Sequence, residues 1–158
     1  MSSRRLTFAA LVVAALGSGG VAAADMSRGV IAAFKGDLVV TKTDLPEGKN
    51  DKDTIAKIKA ERLKEITGEA KSDVTGWVFH YTAFLSKTGA TELTMEFWNP
   101  DKKLAANKHI NGIDPKTPAL SGEIQIDEDE GLSKGTAYTV KLVTDKNAVV
   151  AQTPLVMK

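Results

Sequence analysis

From Val74 to Ser86 the sequence alternates with a period of two, and no other stretch limits the possible folds as much. Trp77, Phe79, Tyr81, Ala83 and Leu85 share one parity, and Val78, His80, Thr82, Phe84 and Ser86 share the other. In a strand, successive side chains point to opposite faces. The aromatic and β-branched content of this run suits a pleated surface. It therefore reads as a central strand. Its second side is partly apolar, although the outward face of a sandwich strand is ordinarily polar. Either that face is an aromatic platform open to a partner, or another element covers it.

Further strands flank this one. Asp37–Leu45 alternates until Pro46 stops it, and residues 25–36 lead into it. The turn Lys87-Thr88-Gly89 opens Thr91–Trp98, and the tight turn Asn99–Lys102 leads to a strand over Lys103–Ile110. Asn111–Pro118, with two prolines, is a loop. Leu120–Asp127 alternates again, and an acidic corner, Asp127–Gly131, precedes a strand that runs through Val143. After the turn Asp145–Asn147 comes Ala148–Met157, where Pro154 denies one ladder bond and implies an edge position. About seven strands at this spacing predict a sandwich.

Only Asp53–Ile66 carries a helical period, through Ile55, Ile58, Arg62 and Ile66. Asp51 or Asp53 is placed to cap its start, and Gly68 follows its end. A weaker alternative makes Leu63–Thr67 a short strand. The polar positions of the helix mix Lys with Glu, which favours packing on the domain over lying on a membrane. Its apolar stripe and the apolar second face of the central strand then satisfy each other. The candidate partner- or ligand-binding residues are His80 and Phe84 on that face, together with Trp98. Trp98, at a strand end beside Asn99-Pro100, is the aromatic most readily left uncovered.

The run GLSKGTAYTVKL, Gly131–Leu142, sets Tyr138, Val140 and Leu142 on one side of a strand that begins just after the Gly135-Thr136 turn. It resembles the E–F corner of fibronectin type III and related immunoglobulin-like sandwiches. The resemblance implies a buried Tyr138 whose hydroxyl bonds to backbone a few residues upstream, with Trp77 as a core anchor. The expected fold is thus mainly β, a single immunoglobulin-like antiparallel β-sandwich with one inserted helix near 53–66.

Residues 1–24 read as an address. Arg4 and Arg5 precede the apolar run Leu6–Leu16, and Ala22-Ala23-Ala24 offers a cleavage site before Asp25. The run is too short to span a bilayer, so a secretory leader and a single domain over 25–158 are expected, with no transmembrane anchor after the leader is removed. The expected location is the bacterial periplasm or exterior. Removing the leader takes two arginines and no acid from a formal charge of +1, leaving −1. Such a balance offers neither the basic stripe that nucleic acid requires nor a polybasic tether to lipid. With no cysteine in the chain, burial alone must hold an exported fold together.

Little in the sequence carries chemistry. His80 and His109 have no zinc-type spacing. There is no G-x-S-x-G elbow, and the Gly-rich stretch 17–20 belongs to the leader. Asp127, Asp129 and Glu130 supply oxygen ligands of the kind calcium takes, without the glycine bend or distal glutamate of an EF-hand loop. The expectation is an exported, non-enzymatic binding module without a cofactor, whose partner is another envelope or extracellular protein or a glycan. The alternatives are a calcium-dependent structural module and a small hydrolase with an unrecognised site.

Overall fold

The computed structural model describes residues 22–23 and 26–158; apart from Ala22 and Ala23, the expected leader lies outside the described residues. Among the described residues the chain is mainly β, with two sheets of five strands each. The first sheet has the order β1-β8-β5-β2, with β4 pairing β5 beyond the end of β2. Its strands are β1 (Ala22–Ala23), β2 (Leu38–Thr41), β4 (Glu69–Lys71), β5 (Val74–Phe84) and β8 (Ala119–Asp127). The second has the order β3-β10-β9-β6-β7, from β3 (Glu65–Ile66), β6 (Leu93–Trp98), β7 (Leu104–Ile110), β9 (Thr136–Val143) and β10 (Val149–Met157). Among the described residues every ladder is antiparallel except β3 on β10 and a single bridge from Asp37 to Gln152.

The inner faces meet in the main core. β5 contributes Trp77, Phe79, Tyr81 and Ala83, and the opposite sheet contributes Met95, Phe97, Val140, Leu142 and Leu155. All the apolar positions that alternation assigned inward on β5, β6 and β9 are buried. Gly122 faces Tyr81 across the ladder, and a Cβ there would lie 2.8 Å from the tyrosine oxygen, so the ring needs a glycine beneath it. Burial pushes the Tyr81 phenol up to about 12. The corner tyrosine behaves as the resemblance implies: Ser133 N–H donates to Tyr138 Oη at 2.8 Å, and the ring meets Phe97 edge-on at 6.4 Å.

A second core lies on the outer face of the first sheet. Phe84, Val39 and Ala119 form its floor, and Val30, Phe34 and Ile58 form its roof, with Phe34 and Phe84 ring centroids 5.1 Å apart. Two helices supply the roof, α1 (Arg28–Ala33) and α2 (Asp51–Glu61). This explains why all four residues of β2 are buried: one of its faces meets the main core and the other meets the helices.

Several boundaries differ from expectation. The strand read over Asp37–Leu45 is confined to Leu38–Thr41, and the one read from Thr91 begins at Leu93. Residues 28–33, read as a lead-in to a strand, form α1, with Ser27 accepting from Val30 N–H as its cap. α2 spans 51–61 rather than 53–66, because Arg62 leaves the helix at ψ 122°. There the sheets take over the chain: Leu63 N–H donates to Val40 O, and Lys64 O accepts from Val156 N–H. The Arg62 guanidinium binds Asp37 Oδ2 at 3.0 Å and Thr153 Oγ1 at 3.1 Å, joining the helix end to both sheets. Ile66, which matched the helical period, instead enters the main core from the short strand β3. Finally, β4 forms an unexpected hairpin with β5, turning at Ser72 with φ 57°.

Pro154 lies in β10 where its missing N–H costs nothing. Gln152 N–H reaches Gly36 O and Val156 N–H reaches Lys64 O; the proline falls between these two bonds, in the gap where no strand flanks β10.

Candidate functional site

The register of the first sheet sets its outer face in rows. Thr41, His80 and Glu123 form one row, and Val39, Thr82 and Ser121 form the next. His80 lies between two carboxylates, with Nδ1 3.4 Å from Asp44 Oδ1 and Nε2 3.3 Å from Glu123 Oε2. Thr82 and Ser121 share a hydroxyl hydrogen bond of 2.8 Å.

Beside these rows the loop 44–50 and the starts of both helices wall a cleft of about 520 Å³. Local sequence builds its walls. Asn50 caps α2 by accepting from Asp53 N–H at 3.0 Å, while Gly48 N–H donates to Thr54 Oγ1 at 2.9 Å. A Cβ on Gly48 would collide with the Thr54 backbone nitrogen, so the loop turns this tightly only with glycine there. Ser27 Oγ donates to Asp51 Oδ1 at 2.6 Å and ties the two helix starts together. The cleft is lined by apolar Met26, Val30, Leu45 and Pro46, acidic Asp44, Glu47 and Asp51, and Ser121.

The three residues selected from sequence are not brought together. His80 is at the margin of the cleft through its contact with Asp44. Phe84 is fully buried beneath the helices, so the covered-face account holds for this residue. Trp98 is half-buried on the outer face of the other sheet; its Nε1 donates to Glu96 Oε2 at 2.8 Å, and Lys141 Nζ stands 5.0 Å from its ring centroid. Opposite it in register is Leu104, 44% exposed. Sequence reasoning missed Asn50, Asp51 and Ser121. The cap expected from the sequence was Asp51 or Asp53, but Asn50 takes that role, its side chain accepting from Asp53 N–H; like Ser27, Asn50 is a helix-capping residue type.

The acidic corner is engaged internally. Glu128 Oε2 accepts from Thr75 N–H at 2.7 Å, and that bond, with Lys134 adding to it, holds the carboxyl below its ordinary range. Glu130 accepts from Asp127 N–H at 3.1 Å and pairs with Lys108. Lys71 Nζ stands 4.0 Å from Asp127 Oδ1. These bonds stitch β4–β5, β7 and β8 together at one end of the sandwich. No group of three His, Asp or Glu side chains converges to hold a metal among the described residues.

Among the described residues neither ring nitrogen of His80 has a hydroxyl partner, and His109 Nδ1 meets Thr94 Oγ1 at 3.2 Å on an exposed surface. No helix among the described residues is long and apolar enough to cross a membrane. No protein-family model, curated protein or solved structure matches the chain.

Proposed function

We propose that this protein is a non-enzymatic binding module of immunoglobulin or fibronectin type III character, working in the bacterial envelope or exterior. The cleft between loop 44–50, the helix starts and β8 is its ligand site. The observation that carries this reading is the cleft itself. At about 520 Å³ it falls within the range of about 300–1,000 Å³ typical of small-ligand pockets, and it combines apolar walls with a few polar groups.

The sandwich assignment draws on two features. The long strands order as β8-β5-β2 against β10-β9-β6-β7, and Tyr138 makes the corner bond to Ser133. Export rests on the composition of residues 1–24. The ligand is an envelope or extracellular protein segment or a glycan. His80 gates the margin through Asp44, and Trp98 with Leu104 forms a separate, secondary contact surface on the other sheet.

The test is an NMR titration of labelled protein with envelope glycans and with peptides from envelope proteins. A ligand of this site shifts the amides of Asp44, Asn50 and Ser121 together, and Ser121→Trp, which fills the cleft, abolishes the shift without lowering Tm. Binding that survives Ser121→Trp and moves only the amides around Trp98 would transfer the site to the other sheet.

A further inference from the structure

One rung is missing along the edge of β5 that faces away from β8, and the directions of the backbone groups locate it. Leu85 N–H bonds to Pro118 O on the β8 side, whereas Phe84 N–H bonds to Asp37 O on the β2 side. Backbone groups alternate in direction along a strand. Odd-numbered residues of β5 therefore bond to β8, and even-numbered ones point to the edge that β2 and β4 share. In the β2 ladder Thr82 and His80 meet Val39 and Thr41, and in the β4 ladder Gly76 and Val74 meet Glu69 and Lys71. Val78, 48% exposed, falls between them. Thr43 would oppose it if β2 continued, and Thr67 would if β4 began earlier, but the ladders stop at Thr41 and start at Glu69. Both segments are engaged elsewhere. Thr43 O accepts from Thr41 Oγ1, and residues 66–68 turn to the second sheet, with Gly68 N–H donating to Lys158 O and Lys158 N–H to Ile66 O. Val78 N–H and C=O are thus unpaired among the described residues.

The missing rung coincides with a slot of about 410 Å³. Its lining includes Thr41 and Lys42 from the end of β2, Thr67 and Glu69 from the start of β4, and apolar Leu63 and Ile66. We propose that this slot binds one residue of an extended peptide from another protein, laid antiparallel to β5 so that the residue exchanges both N–H···O=C bonds with Val78. Such a pair needs a donor and an acceptor on the same side of one unit, which is what an extended peptide residue supplies. β2 and β4 close the line of the strand at the positions opposite His80 and Gly76, about 13 Å apart, so the seated stretch is about three residues long. The antiparallel direction sets the N-terminal side of the peptide by Lys42 and its C-terminal side by Glu69. Neither of these side chains has an ion-pair partner among the described residues, so an acidic residue before the stretch and a basic one after it complement the slot. The slot shares no lining residue with the cleft, and the proposal stands apart from the ligand reading.

Amide exchange and NMR titration of the labelled full chain test it. In the free protein Val78 N–H exchanges faster than the N–H groups of Phe79 and His80, which the ladders hold. The blocked peptide acetyl-Glu-Val-Thr-Ala-Lys-amide, at millimolar concentration, moves the Val78 amide downfield and slows its exchange. N-methylation of the threonine removes the donor and weakens binding about tenfold. The charge-swapped peptide acetyl-Lys-Val-Thr-Ala-Glu-amide binds more weakly, and the double variant Lys42→Glu with Glu69→Lys, both at exposed positions, reverses that order. Circular dichroism checks that the double variant keeps its fold, and should it fail to, the N-methylated peptide decides. A Val78 amide already protected in the free protein, no response of that amide to the peptide, equal binding of the N-methylated peptide, or a charge order that the folded double variant leaves unreversed overturns the proposal.

Discussion

Ile58→Ala tests whether the two helices are an integral layer or an appendage. Ile58 is fully buried, and its partners Val30, Phe34, Val39, Phe84 and Ala119 come from α1, the following loop, β2, β5 and β8. The substitution removes three carbons from a closed contact. At about 0.8 kcal/mol per buried methylene the transfer loss alone is about 2.4 kcal/mol, and an incompletely collapsed cavity raises the cost to about 3–4 kcal/mol. Ile55, only partly buried against the same cluster, provides the control, with Ile55→Ala costing about 1 kcal/mol. The assay is urea denaturation followed by both far-ultraviolet circular dichroism and tryptophan fluorescence, since Trp77 reports the main core. An integral layer shifts both transitions together by the full amount at unchanged slope. If Ile58→Ala removes helical signal while the fluorescence midpoint stays in place, the helices unfold independently and Arg62 and β2 do not couple them to the sandwich.

Tyr138→Phe leaves the edge-on contact with Phe97 and removes only the acceptor for Ser133 N–H; because Ser133 is exposed and water can replace the bond, a loss of about 1 kcal/mol in chemical denaturation is expected. Trp98→Ala should cost less than about 1.5 kcal/mol, since the ring is half-exposed and its Glu96 and Lys141 partners return to water, and a collapse of Tm would show that the outer face of the second sheet is structural. Tyr81 gives a pH dependence: with the folded phenol at about 12 against an ordinary value of 10.0, the unfolded chain loses its proton first, so stability is intact below pH 10 and falls by about 2–3 kcal/mol as pH rises towards 12. Tyr81→Phe should flatten that part of the alkaline denaturation curve. For Glu128, whose carboxyl is held low by Thr75 N–H, the sign is opposite: its contribution is present above the ordinary carboxylate range and disappears as pH falls through the lowered folded value, a loss that Glu128→Gln should remove from the acid limb.

The strands were legible because each long one has a single buried inner parity, and Trp77, Met95, Ile126 and Leu142 each fall on it. The covered outer face was also visible, in the apolar side of β5 and the unpaired stripe of α2. The end of α2 was not. Ile66 keeps the helical interval from Ile58 and Arg62, but the sheet edges at Val40 and Val156 offer backbone partners to residues 63–64, and tertiary bonding overrides the period. α1 escaped because six residues carry too few turns to show periodicity, and β4 because its turn uses Ser72 in a left-handed conformation with no glycine or asparagine to mark it. The cleft was illegible for a different reason: Met26, Asp44, Asp51 and Ser121 are distant in sequence and become neighbours only once the helices fold back over β8.

The Trp77 indole N–H donates to Lys158 O at 3.0 Å across 81 residues, Gly68 N–H reaches the same oxygen, and Lys158 N–H returns to Ile66 O. The largest side chain of the core is thus satisfied by a backbone carbonyl far away in the chain. Because loop closure must precede contacts between such distant residues, folding of this topology is slow, and a chain without Lys158 cannot complete the lock. This makes pulse-labelled folding intermediates with a solvent-accessible Trp77 the species to seek.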